Sequence, residues 1–261
     1  MDFLLIGIVA FSASGLTFFS GFGLGTLLLP AFALFLTAPA AVAATAVVHL
    51  LNGLFKGALV YKMAHWPTVL RFGLPAVPGA IVGALILTLL GERQAFEWEA
   101  LGYVFTPSVA GVLIGAVLIT FAVLEMTPWF QKLQAPPHLV PLGGAATGLF
   151  GGLTGQQGAL RSMFLLRTGL DAKQFIATGV LVSIFIDLAR VPTYFGAFAA
   201  SSAELGERQY WLIALGALAA FAGAWLGSRY LKKAKLEVVR AIVAIMMFVI
   251  GGALIMGLIG S

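Results

Sequence analysis

Apolar runs of bilayer-spanning length dominate this chain. Residues 38–61, 69–90, 101–124, 173–194, 211–231 and 238–259 are each predominantly apolar. An α-helix rises about 1.5 Å per residue, so about 20 such residues cross the ~30 Å hydrocarbon core of a bilayer. Hydrocarbon offers the backbone no hydrogen-bond partner, and a helix satisfies its own. Charged residues make up only 10% of the sequence, where a soluble domain carries about 25%. That scarcity excludes a soluble protein with an outsized core. The fold class is an all-α polytopic membrane protein. Met1-Asp2-Phe3 lacks the basic start of a secretory signal, so the first apolar run, 3–19, is expected to stay in the membrane.

Two further runs are interrupted. Run 3–19 is separated from a short run, 27–36, by Ser20-Gly21-Phe22-Gly23-Leu24-Gly25-Thr26. Run 139–152 is separated from 159–166 by Leu153-Thr154-Gly155-Gln156-Gln157-Gly158. Neither short run can cross alone. Backbone groups freed by such a break must be received by protein or by a watery cavity. We expect the two breaks to face each other and form a substrate site.

The pattern is an internal repeat. A shift of 133 residues (148 − 15) superposes Gly15 on Gly148, Gly25 on Gly158, Ala44-Thr45 on Ala177-Thr178 and Tyr61 on Tyr194. Past an insertion near 201–207, a shift of 144 (223 − 79) superposes Gly79-x-x-x-Gly83 on Gly223-x-x-x-Gly227. The chain divides into a first membrane repeat at 1–125, a cytoplasmic linker at 126–138 and a second repeat at 139–261. The G-x-x-x-G pairs read as close helix-packing faces.

Loop charge orients the runs. Loop 62–71 and the stretch 229–240 are basic, whereas loops 91–100 and 199–207 are acidic. Basic loops belong in the cytoplasm, which puts the acidic ones outside. Segment 139–166 then enters and leaves on one side, as a re-entrant hairpin with its glycine tip inside the membrane. The same count makes 2–36 a hairpin entering from outside. Each half is a re-entrant helical hairpin plus three transmembrane helices, and the halves form an inverted repeat, as in many secondary transporters. The alternative is one kinked span in place of each hairpin, which makes the repeat parallel.

Gly21-Phe22-Gly23-Leu24-Gly25, Pro30-Ala31-Phe32 and Ala43-Ala44-Thr45 resemble the sulfite exporter TauE/SafE family of membrane permeases, and the resemblance runs over essentially the whole chain. It implies transport of small, often sulfur-containing anions such as sulfite, sulfonates or sulfoacetate. A permease of this kind is expected in the bacterial plasma (inner) membrane. Leu24 stands where the family has a glycine, Met163 where it has a proline, and Gln156 and Gln157 replace glycines of the second motif.

The residues themselves also allow anion chemistry. Short helices starting at Thr26 and Ala159 would point their N-termini into the membrane. Their first N–H groups lack partners, and the aligned dipoles add roughly half a positive charge. Backbone at Gly21, Gly23, Gly25, Thr26 and Gly158 could then bind an anion; the alternative is that these glycines only permit tight packing. Gln156 and Gln157 offer amide donors to an anion or to local backbone. Arg161 opposes the dipole of the second short helix unless an anion is near. Its guanidinium could grip two anion oxygens, pair with Asp187, or snorkel to the surface.

Ser183, Asp187, Arg190 and Tyr194 share a helix face. Arg190 belongs either to the anion path, with Asp187 tuning it or carrying a proton, or to a structural salt bridge. Thr45, His49, Asn52 and Lys56 form a polar stripe on 38–61, of the kind that faces a bundle interior. Asn52 joins the expected substrate contacts. His49, Lys56 and Asp187 are the candidates for coupling or gating, since a histidine can titrate near neutral pH. The alternatives are a hydrogen-bonded core histidine and a snorkelling Lys56.

Other classes lack support. There are no cysteines, so thiol chemistry and disulfides are out. His49, His65 and His138 lie far apart, so no metal site is expected. No nucleophile–base pair is visible, so the chain is not read as an enzyme, and no cofactor is implied. The net charge of +5 sits in loops and reflects membrane orientation rather than nucleic-acid binding. The expected function is a secondary transporter, an exporter or permease, moving a small anion such as sulfite, an organosulfonate or a related organic acid by alternating access. Its partners are that anion, the lipid bilayer and a proton as candidate coupling ion. An anion channel of the same architecture is the alternative. The hairpin topology places Asp2 and Ser261 outside. Cysteines introduced at these positions should react with an impermeant reagent added to intact cells; protection of either one refutes the topology.

Overall fold

The computed structural model describes residues 2–16, 24–91, 93–100, 102–200, 206–230 and 236–260. In chain order these form α1 (Asp2–Leu16), α2 (Leu24–Ala33), α3 (Ala38–Val60), α4 (Trp66–Leu90), a hairpin of β1 (Trp98–Ala100) and β2 (Tyr103–Phe105), and α5 (Val109–Met126). A short α6 (Pro128–Gln131) leads to α7 (Val140–Thr154), α8 (Gly158–Leu165), α9 (Ala172–Ala200), α10 (Glu207–Tyr230) and α11 (Leu236–Ile255). Among the described residues, five helices are long and apolar enough to cross a membrane: α3, α4, α5, α9 and α10. The protein is an all-α polytopic membrane protein.

Boundaries depart from expectation at three places. The basic stretch 62–71 is not one loop, because α4 already starts at Trp66 with Pro67 in its first turn. Such a proline gives up only an N–H that has no intrahelical partner. The span expected at 101–124 starts later, at Val109. There Ser108 caps the helix, its Oγ accepting from the Gly111 N–H at 3.0 Å. The apolar residues before it form the β-hairpin, with Trp98 opposite Phe105 and Gly102 in the turn at φ 78°. Trp98 donates from Nε1 to the Met256 carbonyl at 3.0 Å, fixing this hairpin to the end of α11. The linker at 126–138 holds the short α6.

Both interrupted runs double back. Gly143 near the start of α7 lies against the Phe164 ring near the end of α8. Ile6 near the start of α1 and Phe32 near the end of α2 both reach Gly216 of α10.

Glycines decide how closely these hairpins pack. A Cβ on Gly79 or Gly83 of α4 would collide with the carbonyls of Ala145 or Leu149 on α7. From the other side, Gly144, Gly148 and Gly152 of α7 meet the carbonyls of Phe72, Ala76 and Ala80. The two helices run parallel with backbones in contact, which only small residues allow. Gly223 and Gly227 of α10 meet the carbonyls of Phe11 and Gly15 on α1 in the same parallel way. Gly115 of α5 and Gly251 of α11 face each other's carbonyls, while Gly111 faces Leu254, so this pair is antiparallel. So are α3 and α9, where His49 meets Asp187, Gly53 faces Ile184, and Gly57 faces Ile184, Leu181 and Val180. Each hairpin thus packs on a long helix from the other end of the chain.

An alanine in mid-helix is ordinarily favoured over glycine by about 0.5–1 kcal/mol, whereas overpacking a tight contact costs about 1–3 kcal/mol. Gly148→Ala should therefore lower thermal stability in detergent. Gly252→Ala, which meets nothing within 4 Å, should leave it unchanged or raise it.

Candidate functional site

The site grows from the end of α7. Gly155 adopts φ 80° and its N–H bonds the Gly151 carbonyl at 2.9 Å. A left-handed residue of this kind ends a helix and favours glycine. The carbonyls that follow leave the helical ladder and need other partners. Two side chains of α9 reach this end. Arg190 donates from Nη1 to the Gly151 carbonyl at 2.7 Å, and the Tyr194 hydroxyl donates to the Gly152 carbonyl.

A carboxylate balances that arginine. Asp187 Oδ1 accepts from Arg190 Nε at 2.9 Å and lies 2.8 Å from Nη2. Gln157 of the hairpin tip approaches the same oxygen at 3.4 Å. Asp187 Oδ2 is 2.6 Å from Nδ1 of His49 on α3. The i, i+3 spacing put Asp187 and Arg190 on one helix face, and the salt bridge held as the alternative there is present. The contact to His49, 138 residues away, left no trace in the sequence, because nothing local encodes the crossing of α3 and α9. Asp187, Arg190 and Tyr194 are wholly buried.

Arg161 of α8 is buried as well. It does not snorkel. Its Nη1 donates to Ser183 Oγ, which donates to the Gly179 carbonyl at 2.9 Å. A Cβ on Gly179 would stand 3.3 Å from Arg161 Nε, so this glycine makes room for the guanidinium. Lys56 is likewise buried rather than snorkelling to the surface.

The first break meets the second. A Cβ on Gly25, in the first turn of α2, would lie 3.7 Å from the Gly155 carbonyl oxygen. It would also lie 3.6 Å from His49 Cδ2 and 3.9 Å from Thr45 Cγ2. Thr26 is buried beside it, and Gly158 opens α8 on the opposite side. Gly21 and Gly23 lie outside the described residues. Asn52 accepts from Ser14 Oγ of α1 at 3.1 Å, tying the first hairpin to α3. Among the described residues, Thr45 Oγ1, Gln156 Nε2 and Gln157 Oε1 are buried without a hydrogen-bond partner.

The arrangement gathers two buried arginines, Arg161 and Arg190, and one buried carboxylate, Asp187. Its local charge is positive, and orphaned polar groups surround the meeting point of two helix ends. Among the described residues, no group of three or more His, Asp or Glu could hold a metal. A family model described as Sulfite exporter TauE/SafE matches residues 4–254. No curated protein and no solved structure matches the chain.

Breaking a buried ion pair by removing one partner costs about 3–5 kcal/mol, whereas replacing both by apolar residues costs much less. Arg190→Leu should destabilise the protein by that amount in a detergent unfolding titration, and Asp187→Leu/Arg190→Leu should recover part of the loss. Additive losses would rule out the coupling described.

Proposed function

This chain belongs to the sulfite exporter TauE/SafE family, and from that premise we propose that it is a secondary transporter of a small anion, bound where the two hairpin tips meet. As a member of that family it is an integral membrane transporter. The reading beyond this rests on one observation: Gly25 of the first break lies against the Gly155 carbonyl of the second, beside the positively charged cluster of Arg161, Arg190 and Asp187.

In this reading Gly25 and Thr26 offer the anion the start of α2, and Gly158 offers the start of α8. Helix N-termini suit anions through free N–H groups and the aligned dipole. Gln156 supplies a buried amide donor and Arg161 a charge-assisted one. Gln157, Asn52 and Arg190 line or brace the pocket, Arg190 acting through the end of α7 that it holds. His49, Lys56 and Asp187 carry coupling or gating. The substrate class is sulfite, an organosulfonate or a related organic acid, and the location is the bacterial inner membrane.

The helix pairing supports an inverted repeat over 1–125 and 139–261. The superposed helices α3 and α9 cross antiparallel, as do α5 and α11. An axis in the membrane plane relates antiparallel mates, whereas a parallel repeat would leave them parallel. Rocking one half against the other would then expose the midplane site to each side in turn.

Proteoliposomes offered sulfite, methanesulfonate, acetate and phosphate test the reading. Saturable uptake and counterflow of at least one anion are expected. Unsaturating, voltage-driven current would indicate a channel, and no flux of any of them would end the proposal. Gly25→Ala places its methyl at ordinary contact distance between the tips, so stability should hold while affinity falls. Arg161→Ala removes a charge-assisted hydrogen bond worth about 1.5–3 kcal/mol and should weaken anion binding at least about tenfold. Arg93→Ala, at an exposed position, should not.

A further inference from the structure

His49 is the member of the buried ionic network that keeps open surface. Its side chain is 19% exposed, against 0% for Asp187 and Arg190. Among the described residues its one hydrogen-bond partner is Asp187, through Nδ1. Asp187, already paired with Arg190, accepts there, so Nδ1 carries the hydrogen. This fixes the tautomer, and Nε2 presents a bare lone pair whenever the ring is neutral. The edge of the ring next to Nε2 faces α2, since Cδ2 lies 3.6 Å from the Cβ position of Gly25. That point is also 3.7 Å from the Gly155 carbonyl oxygen and 3.9 Å from Thr45 Cγ2. Thr45 is buried, and its Oγ1 has no partner among the described residues. Nε2 therefore borders the gap between the two tips.

We propose that His49 Nε2 contacts the transported anion directly, and that the anion binds only together with one proton held on this ring. The proposal rests on the anion site argued above and deepens it. A neutral ring turns a lone pair toward an anion oxygen, which repels it. A protonated ring turns an N–H toward the same oxygen and makes a charge-assisted bond. The proton is taken from water on the loading side, adds to the Nε2 lone pair, and returns to water when the anion leaves. Proton and anion thus cross in the same direction.

The neighbouring charges do not replace this condition. Asp187 and Arg190 face the ring from α9, with Tyr194 beyond them. Arg161 of α8 reaches α9 through Ser183, and Lys56 lies farther along α3 itself. Helix α2 brings no titratable side chain. Arg161 and Arg190 against Asp187 leave a permanent positive charge, which attracts an anion but does not depend on pH. Nε2 supplies the conditional donor.

Methanesulfonate is the probe, because it carries no exchangeable proton near neutral pH and any proton taken up belongs to the protein. Purified wild-type protein in weakly buffered detergent solution should take up about one proton per methanesulfonate bound on the alkaline side of its binding profile, and progressively less as the pH falls. By linkage, its affinity should fall about tenfold per pH unit on the alkaline side. His49→Gln keeps an amide donor and should bind without proton uptake and with a flat pH profile. If that variant does not fold, the proton is assigned to the ring by the imidazole signal of the wild-type protein. Imidazole NMR has only three histidines to resolve, and the His49 signal should move toward the protonated form on adding methanesulfonate. Binding of methanesulfonate with no proton uptake on the alkaline side, or unchanged uptake in His49→Gln, overturns the proposal and leaves the anion site standing. Failure of sulfite, methanesulfonate, acetate and phosphate alike to bind overturns the anion site and this proposal with it.

Discussion

Ending a helix inside hydrocarbon strands carbonyl groups that water cannot reach. At the end of α7 the two carbonyls of Gly151 and Gly152 are met by Arg190 and Tyr194 from α9. The arginine brings a charge, and a buried charge is costly unless it is paired. Asp187, one turn earlier on α9, pairs it. The remaining oxygen of that carboxylate reaches His49 on α3. The contacts at this helix end therefore join a hairpin tip to two long helices, α3 and α9.

Close backbone contact is what lets these parts meet. The parallel α4–α7 and α1–α10 pairs have glycine against carbonyl at successive turns. Lipid tails are as apolar as the helices, so burial drives little association here, and van der Waals fit carries it. Each hairpin is held by a helix from the other half. The hairpin bases are therefore seated on the opposite half, while Gly25 in the first turn of α2 approaches the Gly155 carbonyl.

Much of this was legible because it is local. Spans of about 20 apolar residues, glycine breaks and helix-face spacing are properties of neighbouring residues. The Asp187–Arg190 pair followed from its i, i+3 spacing. The late start of α5 was also written locally, in Pro107 and the capping Ser108, but the aromatic run Tyr103-Val104-Phe105 extends the apolar signal across the true boundary. The repeat misleads in one respect. It superposes Tyr61 on Tyr194, yet Tyr194 is buried on the Gly152 carbonyl and Tyr61 is exposed.

By itself the sequence determined the membrane class, the family resemblance, the two interrupted runs and the polar stripes. Each depends on residues within a few turns of one another. Tertiary structure alone decided which stripe meets which. The register of α3 on α9 placed His49 against Asp187, the packing of α8 on α9 seated Arg161 on Ser183, and the approach of α2 to the end of α7 brought Gly25 to the Gly155 carbonyl. Those contacts are set by packing over whole helices, which no local pattern encodes.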